Sequence, residues 1–321
     1  MALAFGLTVS LARLGSALNF LATPLIASET SVSFAVWVAT LLSVLSFVAG
    51  ILLGLSDWWA LSSGRLEIST VETGETKVSF REIFTFPVPV WMLCLICMLF
   101  YNSIIPLYAV ASQIMKFSGT HNYTADTASA FVSIPNIMAI VFVPLFGKMI
   151  DMWGQSLWVI ASSCVLLCAG DLMILGTALE WWTIYPLYSF FVVGCSYCMF
   201  AAAIWPMVSH VASKSTVATA YGLMSSLQSA GIAVTSQLIG AIQTSSEPKW
   251  QFANPLIFFI SSGFAALLAA IGLLISDHRH QDILNLSAEG RKSLLVDGVQ
   301  ENSSDEAEKT LLGENANQIL A

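Results

Sequence analysis

The stretch Gly147-Lys148-Met149-Ile150-Asp151-Met152-Trp153-Gly154-Gln155 decides how this chain is organised. It is a short polar interruption between two apolar stretches, 128–147 and 156–179, and each of these is long enough to cross a bilayer as a helix. The two glycines permit a tight turn with a close helix approach. Asp151 can cap a helix start or pair with a neighbouring helix. The stretch therefore predicts a short loop between two antiparallel membrane helices.

Similar apolar stretches continue in both directions from this loop. Each approximates the ~20 residues that a helix needs to cross a bilayer, and a helix is expected because backbone groups in lipid must bond within their own segment. The sequence thus predicts an all-α membrane protein of about eight transmembrane helices, at 3–27, 34–56, 89–112, 128–147, 156–179, 182–206, 218–243 and 254–276.

The composition favours the same class and weakens others. The chain is 56% hydrophobic and only 10% charged, whereas soluble domains carry roughly 25% charged residues. The net charge of −8 comes mainly from the loop at 57–87 and the tail after residue 277, so it does not indicate a nucleic-acid partner. All six cysteines lie in apolar stretches and are expected to pack there. No nucleophile–base constellation, metal cluster or phosphate loop is recognisable, so neither an enzyme nor a cofactor is expected.

The basic residues set the predicted orientation. Loops 57–88, 148–155 and 207–217 and the tail hold nine lysines and arginines, whereas the loops on the other side hold two. This bias places the nine on the cytosolic side. The sequon Asn122-Tyr123-Thr124 then falls on the lumenal side, where Asn122 is an expected glycosylation site.

The loop at Gly147, Asp151 and Gly154 resembles the GxxxDxxGR/K signature of the major facilitator superfamily, although Gln155 and Ser156 replace its usual basic residues. In that superfamily the signature follows helix 2 and again helix 8. Four further stretches come after it here, which fits the second copy and makes the stretches equivalent to helices 5–12. The chain is then expected to be a fragment without helices 1–4.

The resemblance also implies a division of the chain. The expected parts are the last two helices of the N-terminal half (1–56), a cytosolic central linker (57–88), a six-helix C-terminal half (89–276) and a disordered acidic cytosolic tail (277–321).

Four shorter segments resemble a branch of the superfamily that exports dipeptides from lysosomes: 5–16, 205–208, 219–228 and 284–288. This resemblance implies a multi-pass dipeptide uniporter of the lysosomal membrane that works by alternating access, with a glycosylated lysosomal membrane protein as a possible accessory partner. Two alternatives stay open: a facilitator of another small organic anion, and a non-transporting membrane scaffold or sensor. Without helices 1–4, the chain is not expected to transport by itself.

Arg13 is the only basic residue within the eight stretches. A charge near the bilayer centre costs at least about 2.5–3.5 kcal/mol, so its side chain is expected to face a cavity or a partner. A guanidinium suits a bidentate grip on a carboxylate, such as a peptide C-terminus. The alternative is a structural ion pair with an acid on one of helices 1–4, which the chain is expected to lack. Ser10 and Ser16, three residues to either side, could line the same cavity, while Gly6 and Gly15 are expected to allow close helix packing.

Other polar side chains within the stretches are candidates for contacts with substrate, with helix–helix hydrogen bonds or the membrane interface as the alternatives. These candidates are Tyr101, Asn102, Asn136, Trp205, Tyr221 and Gln228. Asp171 is the only acidic residue within the stretches. It could be a protonatable coupling group, or it could simply be hydrated near the lumenal end of its helix.

Overall fold

The computed structural model describes residues 2–63, 84, 86–117, 123–182, 184–212, 216–246, 250–279 and 283–286. These residues form eight long α-helices and one 3-10 turn: α1 (Ala2–Glu29), α2 (Val32–Ser62), α3 (Val88–Phe117), α4 (Ala125–Trp153), α5 (Ser156–Ala178), α6 (Pro186–Val211), α7 (Val217–Ser245), α8 (Ala253–Arg279) and the turn Ile283–Asn285. The predicted glycosylation site Asn122 and most of the central linker and the tail lie outside the described residues.

The helices follow the predicted order, and the protein is an all-α, multi-pass membrane protein. Seven of the helices in the described residues are long and apolar enough to cross a membrane. The helix that falls short of this criterion is α7, which carries serine, threonine and glutamine along its length. Its role as an eighth span therefore stays a prediction.

The signature stretch is more helical than expected. α4 continues through Asp151 to Trp153, so Gly147 lies inside the helix and only Gly154 and Gln155 form the connection. Gly154 ends the helix with a φ of 75°, a region in which glycine has no steric penalty, and its N–H bonds to the carbonyl of Ile150. The chain therefore passes from α4 to α5 within two residues. Beyond this connection, α4 packs mainly on α1 and α6, and α5 packs mainly on α6 and α8.

Helices α3–α8 form a bundle in which α3 packs on α7 and α8, α5 packs on α6 and α8, and α4 packs on α6. Large buried aromatic side chains fill its interior, including Phe100 of α3, which stacks on Phe200 of α6. Outside this bundle, α1 lies along α4 and also contacts α6, whereas α2 packs against α1 and leaves nearly all its side chains exposed.

Close packing of α1 on α4 depends on Gly6. A Cβ at this position would lie 3.0 Å from the Cα of Pro144 and 3.2 Å from the carbonyl oxygen of Val143. Gly15 was expected to serve the same purpose but does not, since a Cβ there would meet nothing within 4 Å. The two helices therefore approach each other closely at Gly6 and Pro144, near the start of α1 and towards the end of α4.

At the same end, Asp151 of α4 accepts a hydrogen bond from the backbone N–H of Leu3 at 3.1 Å. The first N–H groups of a helix have no partner within the helix and carry a partial positive charge, so a carboxylate there is stabilising. The contact places the start of α1 and the end of α4 on one side of the bundle, as the predicted orientation requires.

The 3-10 turn Ile283–Asn285 (the C-terminal turn) joins α8 to α5 at this end of the bundle. Asp277, near the end of α8, accepts from the N–H of Leu284 (3.1 Å) and from Nδ2 of Asn285 (3.2 Å). Asn285 in turn accepts through its carbonyl oxygen from the N–H of Gln155 (2.8 Å) and through Oδ1 from the N–H of Leu157 (3.1 Å). Asn285 thus provides the cap that Gln155, the N-cap residue of α5, does not supply with its side chain. Within the range 277–321 that was expected to be a disordered tail, residues 277–279 end α8 and residues 283–285 form this turn.

Candidate functional site

Arg13 lies near the middle of the 28-residue helix α1, with its side chain turned towards α6. Its Nε–H donates to the hydroxyl of Tyr197 at 2.5 Å, and its guanidinium carbon lies 4.5 Å from the centre of the Tyr197 ring. Among the described residues, no other hydrogen-bond acceptor and no carboxylate meets the guanidinium. Within the described residues, the terminal nitrogens of Arg13 are therefore without a partner. The alternative of an ion pair with an acid on one of helices 1–4 stays a prediction.

Tyr197 connects Arg13 to an aromatic cluster that consists of Tyr101, Tyr197, Trp205 and Tyr221. The rings of Tyr101 and Tyr197 meet edge to face with centroids 6.3 Å apart. Nε1 of Trp205 donates to the Tyr101 hydroxyl at 3.3 Å, and the Tyr221 hydroxyl donates to the Trp205 carbonyl at 2.8 Å. The structure thus brings together four of the predicted site residues, on helices α1, α3, α6 and α7.

The sequence reasoning did not single out Tyr197, which links this group. It lies between Cys195 and Cys198 in an apolar helix and has only 1% of its surface exposed. A buried tyrosine hydroxyl usually finds a hydrogen-bond partner. A tyrosine in the middle of a predicted span was therefore a usable signal for a polar contact, although nothing in the sequence identified Arg13 as the partner.

Asn102 of α3 and Asn136 of α4 are both buried, and each keeps one side-chain atom without a partner among the described residues, Oδ1 in Asn102 and Nδ2 in Asn136. Asn136 lies at about the height of Arg13. α1 and α4 are antiparallel, and the hydroxyl of Ser10 bonds to the carbonyl of Ile140. Because both helices rise by the same distance per residue, the residues one turn after Ser10 lie beside the residues one turn before Ile140, which include Asn136. An unsatisfied buried amide is costly, which favours a ligand contact for both residues.

The remaining predicted residues lie outside this group. The hydroxyl of Ser10 bonds across to α4, and that of Ser16 bonds weakly to the Ala12 carbonyl of its own helix at 3.5 Å, so neither contacts Arg13. Gln228 of α7 contacts Cys97, whose Sγ lies 4.0 Å from Oε1. In this structure, Ser10 and Gln228 make contacts between helices, whereas Ser16 bonds only within α1.

Asp171 is fully buried in α5 rather than hydrated. Its Oδ2 accepts from the Ser103 hydroxyl of α3 at 2.8 Å, whereas its Oδ1 has no hydrogen-bond partner among the described residues. A buried carboxyl group with a single donor among the described residues is costly for a fold. Asp171 therefore keeps its place as a candidate for proton exchange, but it makes no contact with Arg13.

Comparison with known proteins extends this description. The family model described as Major Facilitator Superfamily matches residues 1–236. The chain is also similar to proteins named lysosomal dipeptide transporter MFSD1. Identity is 29% over 299 residues with the one from Bos taurus and 27% over 300 residues with the one from Homo sapiens; each alignment covers 91% of this chain and 62% of the relative. The one from Danio rerio is 29% identical over 300 residues, which cover 90% of this chain and 62% of that protein.

The chain thus spans about 62% of the length of these relatives. Its bundle of apolar helices, the two-residue connection after Asp151 and the family match over residues 1–236 lead to one conclusion. This chain belongs to the major facilitator superfamily.

Proposed function

We propose that this chain is the substrate-binding part of a membrane transporter for small solutes that carry a carboxylate, and that its substrate is a dipeptide that leaves the lysosome for the cytosol. The observation that supports the proposal most is the Arg13 guanidinium, which lies in the middle of a membrane helix with its terminal nitrogens unpartnered among the described residues. The name of the relatives agrees with this substrate.

The physical argument starts from the cost of the charge. The Tyr197 hydroxyl accepts a hydrogen bond from Arg13 but is neutral. The positive charge of Arg13 is therefore not balanced by a negative charge among the described residues. A carboxylate from a ligand would supply both the missing charge and two parallel acceptors, which is the pairing that a planar guanidinium forms best. The C-terminus of a dipeptide provides this group at one end of a small, otherwise polar molecule.

The remaining groups of a dipeptide need polar partners as well. The free side-chain atoms of Asn102 and Asn136 offer one acceptor and one donor to a peptide bond. We propose that Tyr221, which joins the aromatic cluster through Trp205, and Gln228, two turns further along the same helix, extend the site along α7.

Transport requires the site to open to one side at a time. In the superfamily this occurs by rocking of two helical halves about a central site. We propose that α1 is part of the first half and that α4 and α6 are part of the second. Because α1 packs on α4 and Arg13 reaches Tyr197 of α6, Arg13 then lies at the contact between the two halves. We propose that the Leu3–Asp151 hydrogen bond forms and breaks as the cytosolic side closes and opens.

Location and partners are part of the same proposal. We propose the lysosomal membrane as the location because the relatives are named as lysosomal transporters. A glycosylated accessory membrane protein stays a prediction, as does proton exchange at Asp171.

The test uses the protein expressed from its complete coding sequence and reconstituted in liposomes. Uptake of a labelled dipeptide is expected to fall about 10–100-fold in Arg13→Gln, because a charge-assisted hydrogen bond contributes about 1.5–3 kcal/mol. Ser43→Ala is the matched control, since that exposed hydroxyl bonds only to the carbonyl of Ala39 in its own helix. Equal inhibition by simple monocarboxylates and dipeptides would favour the organic-anion alternative, and absence of any flux would favour the scaffold.

A further inference from the structure

We propose that Tyr197 is a positioning residue that fixes the orientation of the Arg13 guanidinium, so that its two terminal nitrogens bind the substrate carboxylate end-on. This inference rests on the proposed function, in which Arg13 binds that carboxylate.

The geometry of the guanidinium gives the reason. A guanidinium is planar and has two edges suited to bidentate binding: one formed by Nε with one terminal nitrogen, and one formed by both terminal nitrogens. Nε donates to the Tyr197 hydroxyl at 2.5 Å, which occupies the first edge. Only the second edge remains for a carboxylate, so the direction from which the substrate must approach Arg13 is set by Tyr197.

The tyrosine ring restricts a second degree of freedom. The guanidinium carbon lies 4.5 Å from the ring centre, within the range of a cation–π contact. With the hydroxyl contact alone, the guanidinium plane could rotate about Nε. The tyrosine ring that the guanidinium lies over restricts this rotation. The flexible arginine side chain is therefore ordered before the substrate binds. Because the entropy cost of ordering it is not part of the binding step, the substrate binds more tightly.

Tyr197 can act as an anchor because its own position is constrained. It is 1% exposed and meets Tyr101 edge to face. One turn earlier, Gly194 lets α6 approach α4, where a Cβ would lie 2.7 Å from the sulfur of Met138 and 3.1 Å from the Cα of Pro135. The ring is therefore buried against Tyr101, and the helix that carries it packs closely on α4, so the orientation of Arg13 is tied to a rigid part of the bundle.

The test pairs one variant with two substrates in the reconstituted protein from the complete coding sequence. Tyr197→Phe removes the hydroxyl and keeps the ring. Transport is measured for a dipeptide with a free C-terminal carboxylate and for the same dipeptide with a C-terminal amide. For the free acid, we expect the half-saturating concentration to rise about tenfold in Tyr197→Phe, which corresponds to about 1.4 kcal/mol, with the maximal rate changed by less than about twofold. For the amide, which forms no ionic grip, Tyr197→Phe is expected to add no further loss.

The controls separate a positioning role from a structural one. Tyr123→Phe removes a hydroxyl just before α4, where the ring packs on Phe131. This variant is expected to leave the transport of both substrates unchanged. Arg13→Lys has no planar edge to orient, so Tyr197→Phe should cost nothing more in that background.

Four results would overturn the inference. An equal loss for acid and amide, or a further loss in the Arg13→Lys background, would show that Tyr197 only supports packing. An unchanged half-saturating concentration for the acid would show that the hydroxyl does not matter. If the unmodified protein does not distinguish acid from amide, then Arg13 does not bind the carboxylate, and the proposed function fails together with this inference.

Discussion

Gly6→Ala is expected to weaken the contact between α1 and α4, whereas Gly15→Ala on the same helix is not. The ideal Cβ at Gly6 meets three backbone atoms, the nearest being the Cα of Pro144 at 3.0 Å. Backbone atoms cannot swing aside as the end of a side chain can, so the two helices must separate. At Gly15 the same methyl group enters open space, since nothing lies within 4 Å.

The matched pair isolates the packing cost. Exchange of glycine for alanine within a helix gains roughly 0.5–1 kcal/mol in both variants, because it reduces the conformational freedom of the unfolded chain. An extra methyl group in a closely packed contact costs typically about 1–3 kcal/mol. Since the gain is common to both variants, Gly6→Ala is expected to be less stable than Gly15→Ala by about 1–3 kcal/mol, the overpacking cost itself.

The free energy of unfolding of each variant can be measured by denaturant titration of the purified chain in mixed micelles. Helix content at zero denaturant serves as the control for correct folding. Equal stability of Gly6→Ala and Gly15→Ala would refute the reasoning, because it would mean that α1 does not approach the backbone at Pro144 as closely as the structure indicates.

Three further outcomes are expected. Asp277→Ala removes both acceptors of the C-terminal turn, so amide exchange at Leu157 is expected to accelerate about tenfold or more, as followed by mass spectrometry; unchanged protection would contradict the capping role of this turn. Ser103→Ala leaves the buried carboxyl group of Asp171 without its donor and should lower the free energy of unfolding by roughly 1–3 kcal/mol; a neutral effect would indicate that water reaches the site. Asn122→Gln is expected to abolish a glycosidase-sensitive mobility shift on gels, and an unaltered shift would place the glycan elsewhere.

Much of the helical organisation could be predicted because it depends on local patterns. Apolar stretches near the length of a bilayer crossing predicted the helices in their observed order, with ends that differ by up to about a turn and a half. The largest differences lie at polar ends, such as the continuation of α4 to Trp153, where Gly154 rather than the first polar residue stops the helix. Periodicity and hydropathy do not detect such ends, because a helix stops where its backbone is capped.

The candidate site was only partly predictable. Arg13 was recognisable because a charge inside an apolar stretch is costly wherever the helix packs. Its partner Tyr197 was not, since the two residues are 184 positions apart in the chain. The burial of Asp171 likewise depended on how α5 faces α3, which no pattern within α5 records, because that helix is apolar on all sides.

The sequence by itself determined that this protein is a set of membrane helices with one internal cation, because hydropathy, length and charge act on each segment alone. Only the tertiary structure decided that Nε of Arg13 is engaged by a neutral hydroxyl and its terminal nitrogens are left open among the described residues. It also decided that residues 283–285 cap the start of α5. No single segment encodes such contacts, because they form between helices that are distant in the chain. How closely two helices approach depends on small residues such as Gly6 and on the register of the pair.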